Sequence, residues 1–477
     1  MTTVCSLDSP YQTPPWPREH AATGTPCTRL VAWSERTVST PDDVQIVDPF
    51  RRSRSTYLVG VWAHSFGFGL MSLASYLVVY DQTKSVAATG LIVVAMSVPQ
   101  FCLPVVATRC TERWGGLAVY FWSTLLSGLI TLLPVGLALT GSLTPATLLL
   151  FYVALGVTFG IGASSALLVR ITLAAPGKLP ELNGNRNVAW AIAMAMGYLL
   201  GSFAYSLLGV TWIFIFAAVS YVPSVLAVRP LLRQVPVTAP TSREKTRDVV
   251  KVWKENGRIR ASMVLTLMCF AVGGYSVVLP ALARTISSNN FVLSSLEATT
   301  VLGGLAVTAM IKRVSPDKGW FPAIRRQNFL VMSSLFLLAL VAFVETSAVH
   351  HHVVLLILSV VAAHAAILGA GVGLNFNGTV LATMVMASTG DKDRNGVLAA
   401  YNLIPLLAVP IGQEVIGLVA DRVSLAAGIA LPALVVLVWV RVFPRTNLRR
   451  EFESVLSKEP ESQAQSHPVG VGSRTTR

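Results

Sequence analysis

Residues 230–260 read PLLRQVPVTAPTSREKTRDVVKVWKENGRIR and carry eight basic side chains: Arg233, Arg243, Lys245, Arg247, Lys251, Lys254, Arg258 and Arg260. They separate two apolar stretches of similar length, 57–230 and 261–443. The same kind of interruption recurs along the chain. Twelve apolar runs cut it into thirteen polar segments, and all but three (Lys84, Arg284, Arg422) of the 37 Lys and Arg residues belong to the odd-numbered segments or their margins. A soluble protein has no reason to sort charge in this way. A polytopic membrane protein does, because basic loops stay on the cytoplasmic side during insertion.

Composition agrees. Of 477 residues, 53% are hydrophobic and 13% charged, against about 25% charged in soluble domains. A soluble fold this apolar would expose large greasy patches, so the bilayer is the better solvent. The net charge of +14 does not indicate nucleic-acid binding, because the charge lies on one face of a membrane, next to anionic headgroups. Five scattered cysteines without a CxxC pair argue against a disulfide framework or a metal site. No Walker motif, HExxH or nucleophile elbow occurs. Neither an enzyme nor a self-contained ATP-driven pump is therefore expected, and no cofactor is implied.

The expected spans are 57–80, 87–108, 117–139, 146–169, 188–209, 212–229, 261–283, 291–311, 327–345, 353–374, 397–419 and 423–443. Each is near the ~20 residues that cross ~30 Å of hydrocarbon, and each must be helical because lipid offers no partner for backbone groups. The domain reading is a disordered cytoplasmic tail (1–55), a six-helix bundle (56–230), a basic cytoplasmic linker (231–260), a second six-helix bundle (261–443) and a second tail (444–477). Residues 1–55 contain no apolar run and so no signal peptide. Both termini are expected in the cytoplasm of a bacterium, with the chain in its inner membrane. The halves repeat. Arg109 follows Tyr57 by 52 residues, and Lys312 follows Ala261 by 51. Leu155-Gly156 leads to Gly160 and Gly162 in the fourth span of one half, as Leu368-Gly369 leads to Gly371 and Gly373 in the other. Two matching halves around a basic loop indicate a duplicated transporter.

Glu112-Arg113-Trp114-Gly115-Gly116, between spans 2 and 3, resembles the Asp-Arg-x-Gly-Arg signature of the major facilitator superfamily, without its second basic residue. Asp317-Lys318-Gly319 looks like a worn second copy. More narrowly, Asp81-Gln82-Thr83-Lys84-Ser85 with Thr89-Gly90-Leu91, Leu182-Asn183-Gly184-Asn185, and Pro410-Ile411-Gly412 with Gly417 and Ala420-Asp421 resemble the branch of enterobactin-exporter-like efflux proteins. The resemblance covers about residues 55–443. It implies an all-α membrane fold of twelve helices in two pseudo-symmetric six-helix bundles, with alternating access to a central cavity. It also implies that Glu112, Arg113 and Gly115 form a tight charged turn whose ion pairs hold one conformation. Drug antiporters of the superfamily carry Gly-Pro-x-x-Gly-Gly in span 5. Here Gly197 and Gly201 keep the packing glycines, but the proline is absent.

Ionisable groups inside spans cost ~2.5–3.5 kcal/mol on insertion scales, so each needs a reason. Glu297 and Glu414 could carry protons; alternatively, one snorkels to the interface and the other bonds a neighbouring helix. His64 and His364 could relay protons or simply pack. Asn375 and Asn377 follow the glycine run of span 10, where close approach or local unwinding would let their amides bond a substrate. Arg170 could attract an anion or anchor the topology. Tyr275 and Tyr401 could offer stacking surfaces in the cavity. His350-His351-His352 is too short and local for a closed metal site.

The expectation is a monomeric secondary transporter that exports a small amphiphilic molecule (drug, siderophore or secondary metabolite) by proton antiport. Its partners would be the substrate, protons and the lipid bilayer. An importer or lipid transporter on the same fold is the alternative; a membrane sensor or assembly protein is the rival from another class.

Overall fold

Every apolar run folds as helix, and where a run bends, proline or glycine stands at the bend. The computed structural model describes residues 51–174, 179–234, 253–311, 320–347, 353–387, 389 and 394–442. Most of both tails and most of the basic linker lie outside these residues, as do Asp317-Lys318-Gly319 and the three histidines His350–His352.

We number the spans α1–α12. They are α1 (Arg51–Thr83), α2 (Val86–Cys102 continued by Pro104–Trp114), α3 (Gly116–Ile130 continued by Leu132–Leu139), α4 (Pro145–Leu173), α5 (Leu179–Leu208) and α6 (Val210–Val228). The second set is α7 (Gly257–Gly273, a 3-10 turn over Gly274–Val278, then Leu279–Ile286), α8 (Asn290–Ile311), α9 (Trp320–Ser347), α10 (Val353–Ala387), α11 (Arg394–Arg422) and α12 (Leu425–Val442). Eleven of these are long and apolar enough to cross a membrane, and the two pieces of α2, bent by 56°, make a twelfth. Several run past the expected limits. α1 begins at Arg51, inside the expected tail, and α10 continues to Ala387 rather than ending near residue 374.

The bends have local causes. Pro104 has no N–H to give to the turn before it and disfavours helix at Leu103, so α2 breaks there. Pro134 acts on α3 in the same way, one turn after the break at Thr131. In α7, Gly274 and Pro280 bracket the 3-10 segment. α4 starts cleanly because Thr144 and Thr147 form a reciprocal cap ahead of Pro145 at the first helical position.

Large apolar side chains such as Trp122, Phe203, Leu340 and Val361 stand outward, more than half exposed. In lipid they cost nothing, and the hydrophobic effect does not drive helices together there. Close approach does. α1 crosses α5 at Gly69 and Gly197, where a methyl on Gly69 would lie 2.7 Å from the Met194 carbonyl. α7 crosses α11 at Gly274 and Gly412, where a methyl on Gly274 would lie 2.6 Å from the Gln413 nitrogen. These are equivalent positions in a repeated packing scheme. In the first six spans α1 packs on α5, α2 on α4, α3 on α4 and α3 on α6; in the last six, α7 packs on α11, α8 on α10, α9 on α10 and α9 on α12.

The two sets of six meet along two seams, α2 against α11 and α5 against α8, with a smaller contact between the ends of α1 and α7. The ends of the spans define two faces. The basic face carries Arg109, Arg113, Arg170, Arg186, Arg260 and Arg441, and the opposite face carries Lys84, Arg284 and Arg422.

Candidate functional site

The polar bonds that join the two halves cluster toward the opposite face. Asp81, near the end of α1, receives two bonds from Arg284 at the end of α7: Nε to Oδ1 at 3.0 Å and Nη2 to Oδ2 at 2.6 Å. Lys84 lies 3.5 Å from the same carboxylate. Asp421, at the end of α11, accepts bonds from the Ser85 hydroxyl (2.6 Å) and from the backbone N–H groups of Val86 (2.8 Å) and Ala87 (3.1 Å). It thereby caps the N-terminus of α2, where the helix dipole favours a negative charge. On the other seam, Ser294 of α8 donates to Ser202 of α5 at 2.8 Å. The structure is closed at the opposite face.

Each of the two carboxylates singled out from the sequence sits on one of these seams. Glu297 lies on α8 one turn beyond Ser294 and is 5% exposed. Tyr198 from the first half and Tyr275 from the second share a buried cluster with its chain neighbours Leu296 and Ala298. It does not snorkel: its Oε1 is buried without a hydrogen-bond partner among the described residues. Glu414 lies on α11 against α2, where a methyl on Gly90 would come within 3.0 Å of its Oε1. That oxygen also has no hydrogen-bond partner among the described residues.

A cavity of about 280 Å³ opens within the first six spans, in the half nearer the basic face. His64, Gln100, Ser127, Thr158, Phe159 and Arg186 are among its lining residues. The His64 ring lies edge-on to Tyr221 (centroids 4.9 Å apart) and tilted on Phe159 (5.4 Å), and its Nδ1 has no partner among the described residues. Arg170 is held nearby by the Asn183 side-chain oxygen at 3.1 Å and the Ala166 carbonyl at 3.2 Å.

The remaining candidates are placed otherwise. His364 ties α10 to α8: its Nδ1 is 2.7 Å from the Val360 carbonyl and its Nε2 is 3.0 Å from the Ser295 hydroxyl. Of the two possibilities for the glycine run of α10, close approach holds and unwinding does not. The helix is continuous, and a methyl on Gly371 would lie 3.0 Å from the Thr300 carbonyl of α8. Asn375 is exposed and donates to its own helix at Gly371, and Asn377 donates to Asn328 of α9 at 2.8 Å. Tyr275 is buried in a core cluster to which both halves contribute, and the Tyr401 hydroxyl donates to the Gly378 carbonyl. Glu112 and Arg113 make no ion pair among the described residues; both are exposed, and Arg113 lies over the Trp114 ring at 5.8 Å. Gly115 adopts φ +83°, which a side chain would resist, and so permits the tight turn from α2 into α3. Gly201 packs against Leu70 and Leu73.

Sequence reasoning passed over Arg186, Gln100 and the hydroxyl stripe of Ser123, Thr124 and Ser127 on α3. Their helical spacing toward one face was the available signal. It also passed over the Asp81–Arg284 pair, although Lys84 and Arg284 were already two of the three exceptions to the charge pattern.

Comparison with known proteins places this architecture. A family model described as the Major Facilitator Superfamily matches residues 57–413. The chain belongs to this superfamily. It is therefore a multi-pass secondary transporter for a small molecule and not an enzyme. The transporter matches no curated protein sequence. Its fold is shared with solved superfamily structures. A bacterial homologue of the human lysosomal transporter Spinster, inward-facing and occupied, aligns with a TM-score of 0.61 at 10% identity, covering 84% of this chain and 97% of that one. The nucleoside transporter NupG aligns at 0.57 and 14% identity, covering 82% and 99%. The human organic anion transporter MFSD10 aligns at 0.55 and 15%, covering 83% and 99%. At these identities the likeness is one of fold.

Proposed function

We propose that this transporter exports a small amphiphilic molecule from the cytoplasm in exchange for protons, with Glu297 and Glu414 as the proton carriers. One observation carries the reading: the two carboxylates lie one on each seam, each with a buried oxygen that has no hydrogen-bond partner among the described residues. A proton on either changes the cost of keeping that seam shut, because an ionised carboxylate is far more expensive to bury than a neutral one. Loading a proton would thus favour the closed seam, and losing it would favour separation. That links proton movement to alternation of the two halves.

The basic face then lies in the cytoplasm by the positive-inside rule, with both termini on that side. Closure at the opposite face makes this the inward-facing state.

The test is transport in everted vesicles under an imposed acid-inside gradient, with a panel of fluorescent amphiphiles of either charge. The wild type accumulates its cargo inside. Glu297→Gln and Glu414→Gln lower accumulation to background while remaining in the membrane at wild-type amounts. Undiminished accumulation in both variants would show the carboxylates to be structural. Cargo driven outward by the same gradient would identify an importer.

A further inference from the structure

The cavity in the first six spans contains cationic charge that has no carboxylate partner among the described residues. Arg186 lines it, and Arg170 is tied to Asn183, one turn before Arg186 on α5. Each is held by neutral acceptors: Arg186 by the Asn187 side-chain oxygen at 3.1 Å, Arg170 by Asn183 and its own helix backbone. Neither has a carboxylate partner among the described residues, and no acidic side chain lines the cavity. Amide oxygens fix the direction of a guanidinium without cancelling its charge. Tyr57 and Tyr120 line the same cavity. Deeper in, the lining turns aromatic with Phe68 and Phe159.

We propose that this cavity is the recognition site for an amphiphilic anion, an aryl or alkyl group bearing one carboxylate or similar acid group. The acid group sits between Arg186 and Arg170, where a planar guanidinium can pair with it bidentately. The hydroxyls of Tyr57 and Tyr120 supply further donors. The apolar body lies inward against Phe68 and Phe159. The cavity's volume of about 280 Å³ falls just below the ~300–1,000 Å³ usual for ligand pockets, which suits a compact bicyclic ring system. The inference deepens the exporter reading and rests on it for the role of cargo, but the binding event needs no gradient.

The probes are 1-naphthoate, 1-naphthylmethanol and 1-naphthylmethylammonium, which share a ring system and differ in charge. Binding to the purified full chain is followed by calorimetry in phosphatidylcholine nanodiscs, with no pH gradient. We expect naphthoate to bind at least tenfold more tightly than the alcohol, and the ammonium to show no binding. Arg186→Gln weakens naphthoate at least tenfold, whereas Arg186→Lys, which keeps the charge, restores part of the affinity. Because Arg186→Lys controls for folding, equal loss in both variants together with an altered elution profile is followed by the same comparison at Arg170. Adding phosphatidylglycerol separates the sources of the acid group. Displacement of naphthoate by this lipid supports the anion site and gives it to a lipid phosphate; no displacement supports a soluble acid. Ammonium binding as tight as naphthoate, or unchanged naphthoate affinity in both Arg186→Gln and Arg170→Gln, overturns the proposal and leaves the arginines as topological anchors. Failure of proton coupling would appear only in the vesicle assay, so the two readings fall separately.

Discussion

Glu297 concentrates the conflict between stability and transport in one side chain. A buried polar atom without a partner costs about 1–3 kcal/mol, and Glu297 keeps such an atom at 5% exposure. Glu297→Met retains the volume and removes the unmet need. We therefore expect the variant to unfold at a higher temperature by differential scanning fluorimetry while losing gradient-driven transport. A lower unfolding temperature would mean that the carboxylate is satisfied in solution and contributes to the fold. The residue scale is also where the sequence was least legible. A carboxylate or histidine inside an apolar run announces itself by its cost in lipid, so Glu297, Glu414 and His64 could be picked out. Arg186 could not, because it lies among the polar residues at a span entrance, where arginines are ordinary anchors. Only the fold brings it to a cavity, with Arg170 tied one turn away to Asn183.

At the scale of the helix, small residues set how closely neighbours pack. Gly197 and Gly412 stand at equivalent crossings, α1 with α5 and α7 with α11, and a side chain at either would meet the backbone of the facing helix, at Phe66 and Ala271. Over-packing a tight site costs typically 1–3 kcal/mol. Gly197→Val and Gly412→Val should each reduce the monodisperse fraction on size exclusion and lower the unfolding temperature. Gly136→Val, where nothing lies within 4 Å, should change neither. Equal behaviour of all three would remove the close-packing account. The existence, number and order of the helices were legible because lipid allows an apolar run no other structure. Their ends and bends were less so. α10 extends to Ala387 because hydropathy marks only the part inside hydrocarbon, and a helix can continue past it. The bend in α2 had its proline in plain view, but the 56° angle depends on the packing around it.

The whole molecule is poised by a few bonds at the opposite face. The Asp81–Arg284 pair is bidentate and only partly exposed, at 32% and 23%. A pair of this kind contributes about 1 kcal/mol, enough to move a two-state balance about fivefold. Asp81→Asn and Arg284→Gln should each lengthen the distance between spin labels at Thr140 and Asn289, one in each half, measured by pulsed electron resonance. The exchanged pair, Asp81→Arg with Arg284→Asp, should bring it back toward the wild-type value. No change in either single variant would show that the pair decorates the closed state without holding it. This level of organisation was half visible in the sequence. The charge rule isolated Lys84 and Arg284 as exceptions, yet the partner of Arg284, Asp81, lies on another helix and in the other half of the chain, which charge counting cannot reach.

The capping of α2 by Asp421 has a kinetic corollary. The N–H groups of Val86 and Ala87 are closed by a carboxylate that belongs to the far half of the protein, while Ala88 is closed locally by Ser85. When the halves part at this face, two amides at the start of α2 lose their acceptor and a third keeps its own. Their exchange with deuterium then counts openings, one event at a time, without a label or a cargo. In peptides spanning residues 84–90, Val86 and Ala87 should take up deuterium at the frequency of gate opening, faster in Asp421→Asn, while Ala88 lags behind. Equal uptake at all three would mean that the helix end frays independently of the gate.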